Sequence, residues 1–397
     1  MPRLFSRIFI LLLVISSLLV ASCQSGPTYQ GKSAAPDRST SPHFASVQQT
    51  TTTLKNVVPT SRPREVLGFY TESEDPYPGS LPTLSAQHEQ LSMIAPFWYK
   101  LDEKNPGYMQ STLSKEERQK IIDRAHANQV QVYLLVHNLF YDSIQKGKEV
   151  AREILRKPTN QRYFLRNLER EVLSMGYDGI NLDIENLYLE DKFAFTQFVK
   201  SVTQLMHLHG KTVTVSVPAN TGDKRANVWS PWFDYKLLGR YADRLVIMTY
   251  DEHNPRTGPG PVASIQWTED TVRYALSQGV PAQKILLGIA GYGWNWNSNG
   301  EKAVYQSYKS LMEQSQNRGA TLNWDQERHA PHMQYMDQEG NMHIAWFENS
   351  FSTRSKLDLV EKYDLAGIAL WRMGLEDPTL WDNLSRQINV WKTDTSQ

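Results

Sequence analysis

The chain has 397 residues, with 42 Lys and Arg set against 42 Asp and Glu, and therefore no formal net charge. That balance excludes a basic nucleic-acid footprint, and the length allows one large catalytic domain with attachments or two ordinary domains. Aromatic residues make up 11% of the chain, with 11 Trp and 19 Tyr, which fits either an aromatic-rich core or a cleft whose flat rings stack on sugars.

The N-terminus reads as an export signal. Arg3 and Arg7 precede an apolar run, Ile8 to Ala21, that is short for a bilayer span. The run ends in Val20-Ala21-Ser22-Cys23, small residues before the chain's single cysteine. This resembles the lipobox of bacterial lipoproteins, which implies a signal peptide over residues 1–22 and a lipid on Cys23. The expected location is then the outside of a bacterial cell membrane, facing the wall. Residues 23–63 are rich in Ser, Thr, Pro and Gln and bury too little apolar surface to order themselves, so a flexible tether is expected.

From Val66 onward, apolar runs alternate with helical patterns. Strands are predicted at Val66–Thr71, Leu91–Tyr99, Val130–Val136, Gly179–Ile184, Val213–Pro218, Arg244–Tyr250, Ile285–Ala290 and Ala366–Trp371. Helices are predicted at Ser114–Asn128, where Ser114 and Glu117 form a capping box, and near Asn160–Met175, Asp191–His209 and Thr268–Gln278. Eight strands with helices between them predict an α/β fold, a closed (β/α)8 TIM barrel over about 64–392. An open doubly wound sheet is the alternative, weakened by the lack of a G-x-G-x-x-G turn after the first strand. The seventh and eighth strands lie far apart, and the segment from about 291 to 349 carries its own β-like pieces, Met333–Tyr335 and His343–Phe347. A small α+β insertion on the barrel rim is expected there.

The fourth predicted strand carries the chemistry. Ile180, Leu182 and Ile184 alternate with Asn181, Asp183 and Glu185, so one face bears an amide and two carboxylates. Carboxylates on a buried face are costly unless they have partners or a task. In a parallel barrel, strand C-terminal ends share one mouth. Asp183 and Glu185 are expected to meet there the Met248-Thr249-Tyr250-Asp251-Glu252-His253 run, the Tyr292-Gly293-Trp294-Asn295-Trp296 run, and Trp371-Arg372. Acids, a phenol and tryptophans suit glycoside chemistry. No H-E-x-x-H spacing favours a metal, and no G-x-S-x-G elbow favours a serine nucleophile.

The stretch Asp178-Gly179-Ile180-Asn181-Leu182-Asp183-Ile184-Glu185 resembles the D-G-x-D-x-D-x-E signature of family 18 glycoside hydrolases. Met248-Thr249-Tyr250-Asp251 is similar to that family's sixth-strand motif, and Trp371 to its eighth-strand tryptophan. The details look most like the branch of spore-cortex peptidoglycan N-acetylglucosaminidases. The resemblance implies cleavage of β-1,4 bonds in glycans containing N-acetylglucosamine, without cofactor or metal, by a monomer. It implies Glu185 as general acid and base, Asp183 as the group that orients the substrate's acetamide, and Tyr250 as a donor to it. Substrate contacts are implied for Asn181, Asp251, Trp371, Tyr70, Trp294 and Asn138, with Asp178 as support for the strand. A non-catalytic sugar-binding protein on the same fold is the alternative function.

Two departures stand out. Asn181 replaces the usual middle aspartate, and the loss of a like charge is expected to let Asp183 ionise more readily. The third strand ends in Val136-His137-Asn138 rather than Ser-x-Gly-Gly.

Overall fold

The computed structural model describes residues 62–222 and 230–393. The expected signal peptide, Cys23 and nearly all of the expected tether therefore lie outside the described residues.

The first strands are β1 (Glu65–Tyr70), β2 (Met93–Pro96), β3 (Tyr99–Leu101), β4 (Met109–Ser111) and β5 (Gln131–His137). They are followed by β6 (Gly179–Asp183), β7 (Thr212–Pro218), β8 (Arg244–Met248) and β9 (Ile285–Ala290). A second group comprises β10 (Tyr292–Asn297), β11 (Val304–Ser307), β12 (Thr321–Asp325), β13 (Ala330–Met336) and β14 (Met342–Phe347), before β15 (Gly367–Trp371). Parallel pairing runs β1-β2-β5-β6-β7-β8-β9-β15 and returns to β1, so eight strands close into a barrel as the sequence predicts.

The period-two alternation decides which side chains fill the barrel. Ile180, Leu182, Val213, Val215, Leu245 and Ile247 point outward into the layer under the helices. Leu67, Phe69, Met93, Tyr133, Leu135, Val246 and Leu286 form the separate inner cluster. Asn181 and Asp183, which alternate with Ile180, Leu182 and Ile184, therefore point at the barrel axis, which is how they come to be buried.

Several boundaries differ from the sequence reading. The second predicted strand is two pieces. Met93 pairs with Gln131, but after Pro96 the chain turns, with the Trp98 N–H donating to Pro96 O, and Tyr99 re-pairs higher up with Val136. Pro96 ends the ladder because it has no N–H to give. A helix at Ile144–Arg156, capped by Ser143, precedes Pro158–Met175 and has no counterpart in the sequence reading. The Ser114 capping box is present at the head of Lys115–His126, with both reciprocal hydrogen bonds formed.

Between β9 and β15 lies an antiparallel sheet in the order β11-β10-β14-β13-β12. The helix Tyr308–Arg318 covers one face through Leu311, packed with Met333, Tyr335, Ala345 and Phe347. The other face carries Trp294, Trp346 and Tyr305, which join Tyr250 and Trp371 in one cluster at the barrel mouth. Only Gly291 separates β9 from β10, so the barrel's wall runs directly into the sheet that overhangs its mouth.

Candidate active site

The site is built around β6. Asp183 is its last residue and is almost fully buried, while Glu185, two residues on, is half-buried at the mouth. Behind them Asn181 is completely enclosed. Its Nδ2 donates to Thr214 Oγ1 at 2.8 Å and its Oδ1 accepts from the Ser216 hydroxyl at 3.2 Å. Both amide ends are thus saturated by β7, and Asn181 forms a floor under Asp183 rather than a surface open to the cleft.

Burial lifts the Asp183 carboxyl to about 7, against an opposing hydrogen bond from Ser216, and its Oδ1 has no hydrogen-bond partner among the described residues. Glu185 is pushed well above the usual carboxylate range, first by desolvation and then by Asp183 and Asp251. Burial is the first cause of the Asp183 rise, and Asn181 adds no like charge behind Asp183.

Opposite these acids, β8 leads into Tyr250 and Asp251. Tyr250 is held well above the ordinary phenol value by burial and by the fields of Asp183, Glu185 and Asp251, so it stays a hydrogen-bond donor. Its ring fits because β9 carries Gly288 beside it. A Cβ at Gly288 would lie 2.4 Å from Ile247 O and 3.0 Å from Tyr250 Cε1. Asp251 has a left-handed backbone (φ 61°), and its Oδ1 accepts from Tyr292 Oη at 2.6 Å and Trp294 Nε1 at 2.8 Å. Desolvation raises Asp251, and those two donors oppose the rise.

Trp371 ends β15 half-buried, boxed by the ring edges of Phe69 at 5.2 Å and Phe97 at 5.4 Å. The following Arg372 is buried and donates to Thr71 Oγ1 and to Pro78 O. His137, in register with Asp183, stacks on Phe97 at 3.9 Å and accepts from the Leu139 N–H. Burial, with Lys100 nearby, lowers it to about 3, so it is neutral.

The structure thus gathers Asp183, Glu185, Tyr250, Asp251, Trp294 and Trp371 at one mouth. Other residues singled out in the sequence lie elsewhere. Tyr70 is fully buried, its hydroxyl has no hydrogen-bond partner among the described residues, and its ring packs edge-on against Trp98 at 6.0 Å. Asp178 is at the far end of the strand, accepting from the Val132 N–H at 2.8 Å and paired with His126. Asn138 is completely buried, with its side chain committed to backbone groups: Nδ2 donates to Gly147 O at 3.2 Å and Asn186 O at 2.9 Å, and Oδ1 accepts from the Glu185 N–H at 3.0 Å.

Three contributors escaped the sequence reading. Tyr141, after β5, stands in the fields of Glu185, Glu74 and Asp183. Ser216 underpins Asn181, and Trp232 Nε1 donates to Glu185 O at 3.1 Å. The only sequence signal for Tyr141 was its place just past a strand end.

Comparison with known proteins agrees with this geometry. The cortical fragment-lytic enzyme of Bacillus subtilis is 30% identical over 248 residues, covering 62% of this chain and 57% of that enzyme. Among the relatives matched first, the chain spans between 54% and 68% of their own length. The crystal structure of the Bacillus cereus spore cortex-lytic enzyme SleL aligns with a TM-score of 0.75 at 26% identity, covering 84% of this chain and 76% of that one. A chitinase from Chromobacterium violaceum aligns with a TM-score of 0.73 at 27% identity, covering 82% and 98% respectively. The model of glycosyl hydrolases family 18 matches residues 145–376, which hold β6, Tyr250 and Trp371, and the chain belongs to that family.

Proposed function

We propose that the protein is a retaining glycosidase that cuts β-1,4 bonds next to N-acetylglucosamine, using the substrate's own acetamide as nucleophile. The observation that carries this reading is the pairing of two buried, proton-holding carboxyls, Asp183 and Glu185, with the un-ionised phenol of Tyr250. Substrate assistance, an exception to the two-carboxylate scheme that family 18 supplies, needs one acid for the leaving group and a second group for the acetamide.

Glu185 donates its proton to the glycosidic oxygen as the C1–O bond breaks. The acetamide carbonyl oxygen forms its bond to C1, giving a positively charged oxazolinium ring. Asp183, whose Oδ1 has no hydrogen-bond partner among the described residues, accepts the acetamide N–H, and its carboxylate form, populated near and above pH 7, stabilises that charge. The Tyr250 hydroxyl donates to the acetamide oxygen and holds it below C1. Glu185, now a carboxylate, then takes a proton from water as the water oxygen attacks C1, and the acetamide oxygen leaves. Two inversions retain the β configuration. A raised Glu185 serves both steps near neutral pH. Trp371 offers a half-buried ring as the floor for the sugar.

The substrate we favour is peptidoglycan. The relatives whose names include cortical fragment-lytic enzyme and spore cortex-lytic enzyme support it, and so does the sequence reading of a lipid on Cys23 with a tether that would hold the domain beside the wall. The test is incubation of the protein with purified peptidoglycan and with chitin oligomers, wild type against Glu185→Gln, with released reducing ends read by mass spectrometry. A Glu185-dependent product on peptidoglycan is expected. No such product on either glycan would overturn the enzyme reading.

A further inference from the structure

Glu185 lies beyond the last ladder pair of β6. Asp183 is paired with His137 on one side, and Leu182 with Val215 is the last pair on the other. Past these positions no ladder pair among the described residues fixes the backbone, yet the acid must be held to a fraction of an ångström. Two side chains from distant segments supply the missing pairing. Asn138 Oδ1 accepts the Glu185 N–H at 3.0 Å, and Trp232 Nε1 donates to Glu185 O at 3.1 Å. The two peptides that flank the Glu185 Cα are therefore gripped, one at its N–H and the next at its carbonyl.

Each half of the grip is itself fixed. Asn138 is locked by its two donated bonds, to Asn186 O and to Gly147 O. Gly147 lies in the first turn of the helix Ile144–Arg156, and a Cβ there would come within 2.4 Å of Asn138 O, so that helix can dock this closely only through glycine. The Trp232 ring is covered by Lys148 of the same helix, whose Nζ lies 5.4 Å from the ring centroid. One helix thus backs both gripping side chains.

We infer that Asn138 and Trp232 are positioning residues that act together as a clamp on the Glu185 backbone, holding the acid's carboxyl in the mouth. This rests on the reading of Glu185 as the general acid. Without the clamp the 184–186 segment can swing toward water and the carboxyl can hydrate, and misplacement of about 1 Å costs on the order of a hundredfold in rate. The other ionisable groups facing Glu185 are Asp183 on β6, Tyr250 and Asp251 after β8, and Tyr141 after β5; the clamp residues are uncharged and leave all four in place.

The test uses Trp232→Phe, which keeps an aromatic ring and removes the donor together with the five-membered ring that carries it, and Asn138→Ala, in the full chain. For Trp232→Phe we expect kcat to fall about tenfold with KM within about twofold, and the basic limb of the kcat profile to move to lower pH as Glu185 hydrates. For Asn138→Ala we expect the Glu185 amide to exchange hydrogen at least roughly tenfold faster. A merely structural role would lower thermal stability and leave the pH limb in place. Wild-type kcat and pH profile in Trp232→Phe, or unchanged amide exchange in Asn138→Ala, overturns the clamp. A wild type inactive on every glycan overturns the glycosidase reading instead, and the amide-exchange measurement still decides the clamp.

Discussion

Asp183→Asn should make the protein more stable as pH rises, because the wild-type residue carries a cost that grows with pH. In the folded protein burial lifts Asp183 from 3.8 to about 7. The folded state therefore holds more protons than the unfolded state between those values, and stability falls as pH rises through that window. The shift is about three pH units, and at 1.36 kcal/mol per unit the ceiling is about 4 kcal/mol. Asp183 titrates together with Glu185, so the share that an Asp183 substitution recovers is about 2–4 kcal/mol. For a domain of this size that is on the order of 4–8 °C in Tm. The assay is thermal unfolding of wild type and Asp183→Asn from pH 4 to pH 8 at constant ionic strength. The two proteins should melt together near pH 4, where both carry a neutral group, and separate in favour of the variant above pH 6. A difference that is constant, or that shrinks with rising pH, would refute the argument that the cavity keeps Asp183 protonated.

Other substitutions give independent checks. Tyr250→Phe removes one preorganised donor and should lower kcat about 10²-fold while binding of an oligosaccharide product, followed by calorimetry, changes little. Asn181→Asp places a second acid behind Asp183, beside Thr214 and Ser216. It should visibly move the pH–rate profile, and an active variant with an unmoved profile would sink that view of Asn181. Gly288→Ala forces a methyl against Ile247 O and the Tyr250 ring. It should cost about 1–3 kcal/mol in denaturant unfolding and lower kcat more than KM, since the displaced ring is the donor.

The barrel was legible because its strands are buried on both faces or alternate cleanly, and period two carries across β6 without interruption. The same alternation placed Asp183 and Glu185 on one side before any fold was known. The break in the second strand was not legible, since the turn after Pro96 depends on Tyr99 finding a new partner at Val136. The helix Ile144–Arg156 has no predicted counterpart, although Val150, Ala151 and Ile154 form its buried stripe. Asn138 shows a deeper limit. A buried amide just past a strand end looks the same in sequence whether it faces a ligand or a neighbouring backbone, and only the Glu185 N–H and the Gly147 and Asn186 carbonyls decide it. Trp232 and Ser216 come from segments far from the signature, and their role follows from where the barrel returns them.

Substrate assistance can be measured directly with oligosaccharides in which the sugar on the non-reducing side of one bond carries a free amine in place of the acetamide. If the acetamide oxygen is the nucleophile, with Asp183 and Tyr250 orienting it, wild-type protein will cleave bonds that follow acetylated residues, give the β anomer first, and leave bonds that follow the free amine intact. Equal cleavage at both kinds of bond, or an α anomer as the first product, would contradict the account.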